Sequence, residues 1–545
     1  MATDKKLNTK DMKKIKILFV LLSALSLSSC NDWLMEMPSG TTTLEEYYVN
    51  GKTCDPVTVG CYVPMMWQFR NGIFMSEWFI GDICSDDAFK GGQFKAEDAN
   101  LLDMENFRVN ADNDILLQYY HSQYVGIARC NRAIIDIPKV ACDEYMDMLL
   151  QARYVAEAKC LRAFYYLRLV RVFGKVPYYT HIIEGSDQLT LQREELSTIY
   201  ANIIKDLTDA EMFLWNKSEY EPKDLGRVTK GTAQALLLKT YLTGHEYLED
   251  AYEKAMYWGE QIYNSGEYSL CPNYWDNFTL AGENGVESVF EIQYTNDPTG
   301  DYGGGGTRGA FTTRQQRCRS NKYTDNNAGW GYNRPSQSLY NEYEAGDPRR
   351  DLTIDVLTEA ECDNTQVDFY EGVVRTVSLK YAMMTEGADG GVYKLDANNN
   401  PRDPINTKEI RYADVLLMYA EACVEENDLA TAKMLLEKVR ARARGENEDI
   451  LPEFPNYNGY TDTPEDLRKA IRHERRVELA MEGHRWFDLN RWGIAAEVMN
   501  AWGESAEVQA IYSDVWSGFR KGVHEIFPIP AEERRLAGLD QNYGY

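Results

Sequence analysis

The stretch from Tyr154 to Phe173 reads YVAEAKCLRAFYYLRLVRVF, with Val155, Ala158, Leu161, Tyr165, Leu169 and Val172 recurring at steps of three and four. That spacing places them on one face of a helix, which must bury its apolar stripe against another element. Lys175-Val176-Pro177 ends the helix, because proline cannot extend the hydrogen-bond ladder. After Gly226 a second helix is expected over Ala233 to Leu242, followed by another over Leu248 to Tyr263 that stops at Ser265-Gly266. Tyr124, Ile127 and Ile134 mark a further helix ahead of Pro138. Helices that follow one another through short connections pack as pairs.

A third pair fixes the type of repeat. Ala420 and Ala432 fit the two small-residue positions of a tetratricopeptide repeat, twelve residues apart, which puts Leu416, Leu436 and Val439 on its other apolar positions. Small residues there let the two helices of a hairpin approach closely. The expected fold is mainly α, with tetratricopeptide-like helix pairs forming a curved scaffold. Between about 272 and 406 the texture changes to Gly, Asn, Asp, Thr and aromatics, with one strand expected at Ser288 to Tyr294. The segment from 71 to 112 has a similar mix. Long irregular segments on a rigid scaffold carry function, so the ligand-binding region is expected in these two.

The first residues read as an address. Lys13, Lys14 and Lys16 precede an apolar run from Ile17 to Leu27, which is the size of a signal-peptide core and too short to span a bilayer. The run ends Leu27-Ser28-Ser29-Cys30, which resembles the acylation box of bacterial lipoproteins, with Cys30 as the lipidated residue. The expected organisation is a signal peptide over 1–29 and a single domain over 30–545. The mature chain is expected to touch the membrane only through its lipid. Its formal charge is −27, and removing residues 1–29 takes six lysines and two aspartates, leaving −31. Such acidity disfavours nucleic acid and anionic surfaces at long range and favours neutral ligands.

Ten cysteines remain beyond Cys30, with no C-x-x-C among them, so zinc ribbons and thioredoxin-type chemistry have no support. Cys160 and Cys423 lie in apolar helical patterns and read as small buried side chains. A Cys54–Cys61 disulfide is conceivable on spacing alone. Gly304 to Gly309 matches G-x-G-x-x-G, but nine residues separate it from the strand, whereas a dinucleotide site needs a tight strand–turn–helix. The six histidines show no metal-site spacing, and no G-x-S-x-G elbow exists. No metal site and no cofactor are expected. Glu474, Glu478 and Glu482 recur at four-residue steps on one helical face, where two carboxylates could serve glycoside hydrolysis. Arg475 and Arg485 lie within helical salt-bridge reach and would lower those carboxyls, which suits an ion-pair lattice better than a general acid.

The same region, Arg472 to Gly493 (RHERRVELAMEGHRWFDLNRWG), resembles the C-terminal hallmark of the SusD-like, RagB-type lipoproteins. Gly81 to Ala88 (GDICSDDA) resembles the family's N-terminal motif, and Gly329-Trp330-Gly331, Pro335-Ser336 and Asp347-Pro348-Arg349 resemble its middle section. Ile410 to Leu417 with Glu421-Ala422, then Ile526 to Pro530, Glu533 and Gln541 to Tyr545, follow in the family's order.

The resemblance implies a non-catalytic outer-membrane lipoprotein facing the cell surface. Family members cap a TonB-dependent, SusC-like β-barrel transporter and help load its cargo, usually an oligosaccharide, during polysaccharide utilization. Arg475, Glu478, Arg485, Asp488 and Trp492 are expected to hold helices together. Candidate ligand residues are Phe89, Gln93 and Phe94 in the first loop, Tyr294, Asn296, Asp297 and Tyr302 in the middle insertion, and Trp67. Rings would stack on sugar faces, and amides and carboxylates would bond hydroxyls. Because the first loop offers phenylalanine rather than tryptophan, a peptide-binding partner of a similar transporter stands as the alternative. A surface glycosidase using the glutamate stripe, and a pure protein–protein scaffold, are the readings from other classes.

Overall fold

The fold was analysed in a computed structural model, which describes residues 50–67, 77–185, 190–295, 309–316, 329–361, 375–381, 384–385, 394–395 and 404–545. Cys30 and the glycine run at 304–308 lie outside the described residues, as do Asn296, Asp297 and Tyr302.

The longer helices are α1 (Cys54–Tyr62), α2 (Asp114–Asp136), α3 (Met148–Phe173), α4 (Leu196–Glu211), α5 (Lys230–Thr243), α6 (Ala251–Asn264), α7 (Tyr412–Glu425), α8 (Leu429–Arg444), α9 (Pro464–Glu478) and α10 (Arg485–Arg491). α3 starts ahead of the expected Tyr154 because the Asp147 side chain accepts a hydrogen bond from the Leu150 amide and caps it. Each helix from α2 to α7 packs on the next, and α7 also carries α8 and α9, which is the stacked helix-pair scaffold that the spacing implied. Ala420 and Ala432 are both fully buried, as small residues at a hairpin crossing should be.

α3 is buried nearly all round, because α1, α2 and α4 cover it on different sides. Its charged residues are therefore paired inside the protein. Arg162 clamps Asp206 of α4 with bonds of 2.8 and 2.7 Å, and Arg168 reaches Glu409 at 2.6 Å. Cys54 and Cys61 are both free and buried on α1, so no disulfide joins them, and Cys160 and Cys423 are buried free thiols.

Strands are short and come in antiparallel pairs. β1 (Ala88–Gly91) pairs with β3 (Tyr332–Pro335), β2 (Ser288–Ile292) with β6 (Thr407–Arg411), and β4 (Ile354–Val356) with β5 (Thr376–Ser378). β2 is the strand expected in the middle section, ending two residues earlier. Its partner β6 leads straight into α7, so the two ends of the irregular segment are stitched together at the scaffold.

The motifs scattered along the sequence meet in one buried ionic network around residues 474–491. Arg349 donates to Glu474 at 2.5 Å and Glu478 at 2.9 Å. Arg411 donates to Glu478 at 3.0 Å, to Glu287 at 2.5 Å and twice to Glu482 at 2.7 Å. Arg442 bonds Glu478 and Glu287, Arg440 reaches Glu474 at 2.9 Å, and Lys380 reaches Glu482 at 2.8 Å. With the Arg349–Asp347 pair, five bases face five acids, so the buried charge is balanced.

The glutamate stripe departs from the single helical face expected of it. α9 ends at Glu478, and Glu482 reaches the cluster from the turn beyond, after Met481 at a left-handed φ of 62°. The ion-pair reading holds, but with different partners: Arg475 pairs with Asp414 and Asp488, and Arg485 with Asp86. Trp492 donates its indole N–H to Glu421 at 3.1 Å.

The N-terminal motif is clamped to the same segment. Asp82 accepts from the Gly483 amide at 2.8 Å and from Asn333 at 2.9 Å, while Asp86 and Asp87 hold Arg476. A side chain at Gly81 would stand 1.9 Å from the Gly483 carbonyl oxygen, so only glycine permits this approach. The consequence for the site is rigidity: β1 begins directly after a turn bolted to the hallmark segment.

Candidate functional site

β1 is buried along its whole length, so only first-loop residues beyond it can meet a ligand. Phe89 points inward and is 3% exposed. Its ring packs against Trp502 at 5.3 Å and Tyr512 at 5.8 Å, in a core with Leu489 and Met499. The expectation of a presented aromatic at Phe89 is therefore corrected: the residue sits in a strand, not a loop, and is packing.

Beyond β1 the chain turns at Gly91 and Gly92, whose φ values of 72° and 88° lie in the region open to glycine. The Gly92 amide donates to the Gly331 carbonyl at 2.9 Å, extending the β1–β3 pair by one rung. A tight loop follows. The Gln93 amide donates to the Glu97 carboxylate, and the Glu97 amide donates to the Phe94 carbonyl at 3.0 Å. Lys95 ties the loop to Asp514 at 2.5 Å, and Asp98 caps the helix Ala99–Glu105. Phe94 stands on this braced loop with 54% of its surface exposed, and Gln93 beside it is half-buried.

The facing strand supplies what the sequence reasoning did not single out as a ligand residue. Trp330 immediately precedes Gly331, is half-buried, and meets Phe311 edge-on at 5.2 Å and Tyr332 at 6.3 Å. The Gly92–Gly331 rung thus sets Phe94 and Trp330 on the same end of one strand pair. The available signal was a tryptophan between two glycines, but its register against Gly91 becomes visible only when the strands pair.

Beneath the rung lie buried charges. Lys90 donates to the Gly91 carbonyl at 2.7 Å, and its ammonium stands 5.5 Å from the Tyr332 ring centre. Burial pushes the Glu105 carboxyl up to about 8, although the Lys90 amide donates to it at 2.9 Å. The floor is buried, and the surface above it offers the exposed Phe94 ring with the half-buried Trp330 ring and Gln93 amide. That arrangement stacks on flat ligand faces and bonds hydroxyls.

The other candidates are held elsewhere. Trp67 lies under the Arg129 guanidinium at 5.3 Å, and Tyr294 is buried with its amide donating to Asn406 at 2.8 Å. Among the described residues no cluster of histidine, cysteine and carboxylate has metal-binding geometry. Glu474, Glu478 and Glu482 are fully buried or nearly so. Burial alone would raise Glu478, but Arg442, Arg411 and Arg349 outweigh it and hold its carboxyl well below the usual range. A group so placed neither carries a proton at neutral pH nor meets a sugar.

One ion pair in this network titrates in a measurable range. His473 faces Glu342 at 2.7 Å and Glu344 at 3.3 Å, one carboxylate on each ring nitrogen. Burial alone would lower its pKa, but the two hydrogen bonds and charges push it up to about 9, and both glutamates are held down at about 2. A histidine raised in the folded state contributes stability that is complete below its unfolded value, near 6.5, and is lost as pH rises through the folded one. The carboxylates contribute above about 4.5 and lose their share only toward pH 2. The stability advantage of the natural chain over His473→Gln is therefore expected to shrink by about 2–3 kcal/mol between pH 6.5 and 9.5. Denaturant midpoints of both chains across that range check it, and a constant difference would contradict it.

Residues 363–545 match the model of the SusD family, and residues 77–242 match that of the family described as starch-binding and associating with the outer membrane. The SusD-like protein P2 of Formosa agariphila is 27% identical over 500 residues, covering 89% of this chain and 92% of that one. Among solved structures, a laminarin-binding SusD-like protein superposes with a TM-score of 0.72 at 29% identity, over 91% of this chain and all of that one. The surface glycan-binding protein A of Bacteroides thetaiotaomicron, in complex with laminarihexaose, superposes with a TM-score of 0.72 at 23% identity, over 90% of this chain and 99% of that one. That last likeness speaks for the fold alone.

Proposed function

The chain belongs to the SusD family, and on that footing we propose that it is a surface lipoprotein that binds an oligosaccharide without cleaving it and passes it to a TonB-dependent, SusC-like transporter. The observation that carries the reading is the placement of the exposed Phe94 and the half-buried Trp330 on one end of the β1–β3 strands, above a fixed floor. The binding of laminarin by a relative 29% identical supports a glycan as the ligand class. The burial and pairing of the glutamates that could otherwise hydrolyse a glycosidic bond support binding without cleavage. Attachment through Cys30, after a signal peptide over 1–29, would keep the site at the outer-membrane surface. Among the described residues no helix is long and apolar enough to cross a membrane. Of the candidate residues on the described chain, Gln93 and Phe94 remain in this site; Asn296, Asp297 and Tyr302 of the middle insertion stay part of the proposal and lie outside the described residues.

The test is retardation in native gels containing laminarin, starch or xylan, with reducing ends assayed in parallel, and co-isolation with the transporter from outer membranes. Retardation without released ends, together with a co-isolated β-barrel, is the expected result. Release of reducing ends would overturn the non-catalytic reading, and binding confined to oligopeptides would move the chain to the peptide-handling alternative.

A further inference from the structure

An open cleft of about 670 Å3 lies where the end of α3, the start of α4, the end of α5, α10 and the C-terminal segment converge, and it shares no lining residue with the Phe94 loop. It carries two exposed rings, Tyr247 and Tyr543, on fixed stretches of chain. Tyr247 is 45% exposed and stacks on the buried Tyr200 of α4, with ring centres 5.9 Å apart and an interplanar angle of 14°. Tyr543 is 85% exposed, yet the backbone on both sides of it is pinned. Asn542 donates to the Phe173 and Phe527 carbonyls at 2.9 and 2.7 Å, and the Tyr545 hydroxyl donates to the Ile526 carbonyl at 2.9 Å. A large exposed ring on a rigid mount loses little entropy when something covers it.

The polar groups indicate what that something is. Of the charged residues lining the cleft, Arg171, Lys175 and Arg491 are paired with Glu77, Glu195 and Glu421, which leaves Arg193 and Lys521 against Glu246 and Glu525, so neither sign of charge prevails. Arg193, in the wall, gives its hydrogen bonds to neutral oxygens of Lys175, Asp540 and Asn542. Beneath the surface, the Asn490 Oδ1 and Glu525 Oε2 acceptors have no protein partner among the described residues. A balanced charge pattern, spare acceptors and flat rings suit a neutral, hydroxyl-rich ligand. Its volume lies within the range of about 300–1000 Å3 that holds a ligand of a few rings, which fits a short oligosaccharide.

We propose that this cleft is a second binding site for a neutral oligosaccharide, with Tyr247 and Tyr543 as its stacking platforms. It rests on the glycan reading of the chain but not on the location of the first site. The full chain and a Phe94→Ala, Trp330→Ala variant are titrated calorimetrically with laminari-, malto-, cello- and xylohexaose. The variant is expected to keep binding at least one of the four. Adding Tyr247→Ala or Tyr543→Ala is expected to weaken that residual binding about tenfold, with Tyr543→Phe restoring it. Tyr543 is so exposed that its substitution should leave the thermal midpoint unchanged, which separates binding from folding. A variant that binds none of the four while the natural chain binds, or residual binding indifferent to both tyrosines, overturns the second site alone. A natural chain that binds none of them overturns both this site and the glycan reading.

Discussion

Glu478→Ala is expected to cost about 3–5 kcal/mol of folding stability, the largest effect of any single substitution considered. Glu478 is fully enclosed and is shared by Arg349, Arg411 and Arg442. Removing it leaves their positive charges short of one partner in a region that water does not reach, and the penalty comes chiefly from those stranded guanidiniums rather than from the lost attraction. It is also expected to spread, because Arg411 links β6 to the turn at Glu482 and Arg349 links the middle section to α9. Glu478→Gln keeps the shape and one acceptor, so it should cost less than alanine while remaining destabilising. Chemical unfolding midpoints with an unchanged denaturant slope would check this. An unaltered midpoint for Glu478→Ala would mean that the network is not what holds the motifs together. A glycosidase would show the opposite pattern, with a stable protein that has lost turnover.

Phe94→Ala is expected to lower glycan affinity by about 1–3 kcal/mol, roughly fivefold to 150-fold, with no change in stability. The ring is more than half exposed, whereas its loop is fixed by backbone bonds to Glu97 and by the Lys95–Asp514 pair, neither of which involves the side chain. Trp330→Ala should produce a loss of similar size but also some destabilisation, because its ring packs against Phe311 and Tyr332. Titration of each variant beside its thermal midpoint distinguishes the two. An unchanged affinity in both would remove the site from the β1–β3 pair.

The scaffold was legible because helix packing follows local periodicity: Ala420 and Ala432 are where a tetratricopeptide hairpin puts its small residues. The ionic network was legible only in part. Helical spacing identified Glu478 as one of a paired set, but its arginines come from positions 349, 411 and 442, and no local rule ties those to α9. Spacing also placed Glu482 on the helix, although the helix ends at Glu478 and the left-handed turn at Met481 delivers Glu482 to the same cluster.

The site shows the same division. Phe94 and Phe89 both came from the resemblance, which places aromatics in the loop after Ala88, and Phe89 departs from it because the segment reads as a loop until β3 pairs with it and buries it. Trp330 was visible as part of a motif, and its role depends on the Gly92–Gly331 rung, a contact between segments far apart in the chain. Long-range pairing of short strands leaves little periodicity to read.

Hydrogen exchange of the full chain, measured with and without saturating glycan, tests the central claim most directly. Protection of the loop 92–98 and of 329–332, with α9 unchanged, is the expected footprint of this site. Protection that leaves both of those segments untouched would contradict the placement of the glycan on the Phe94–Trp330 platform.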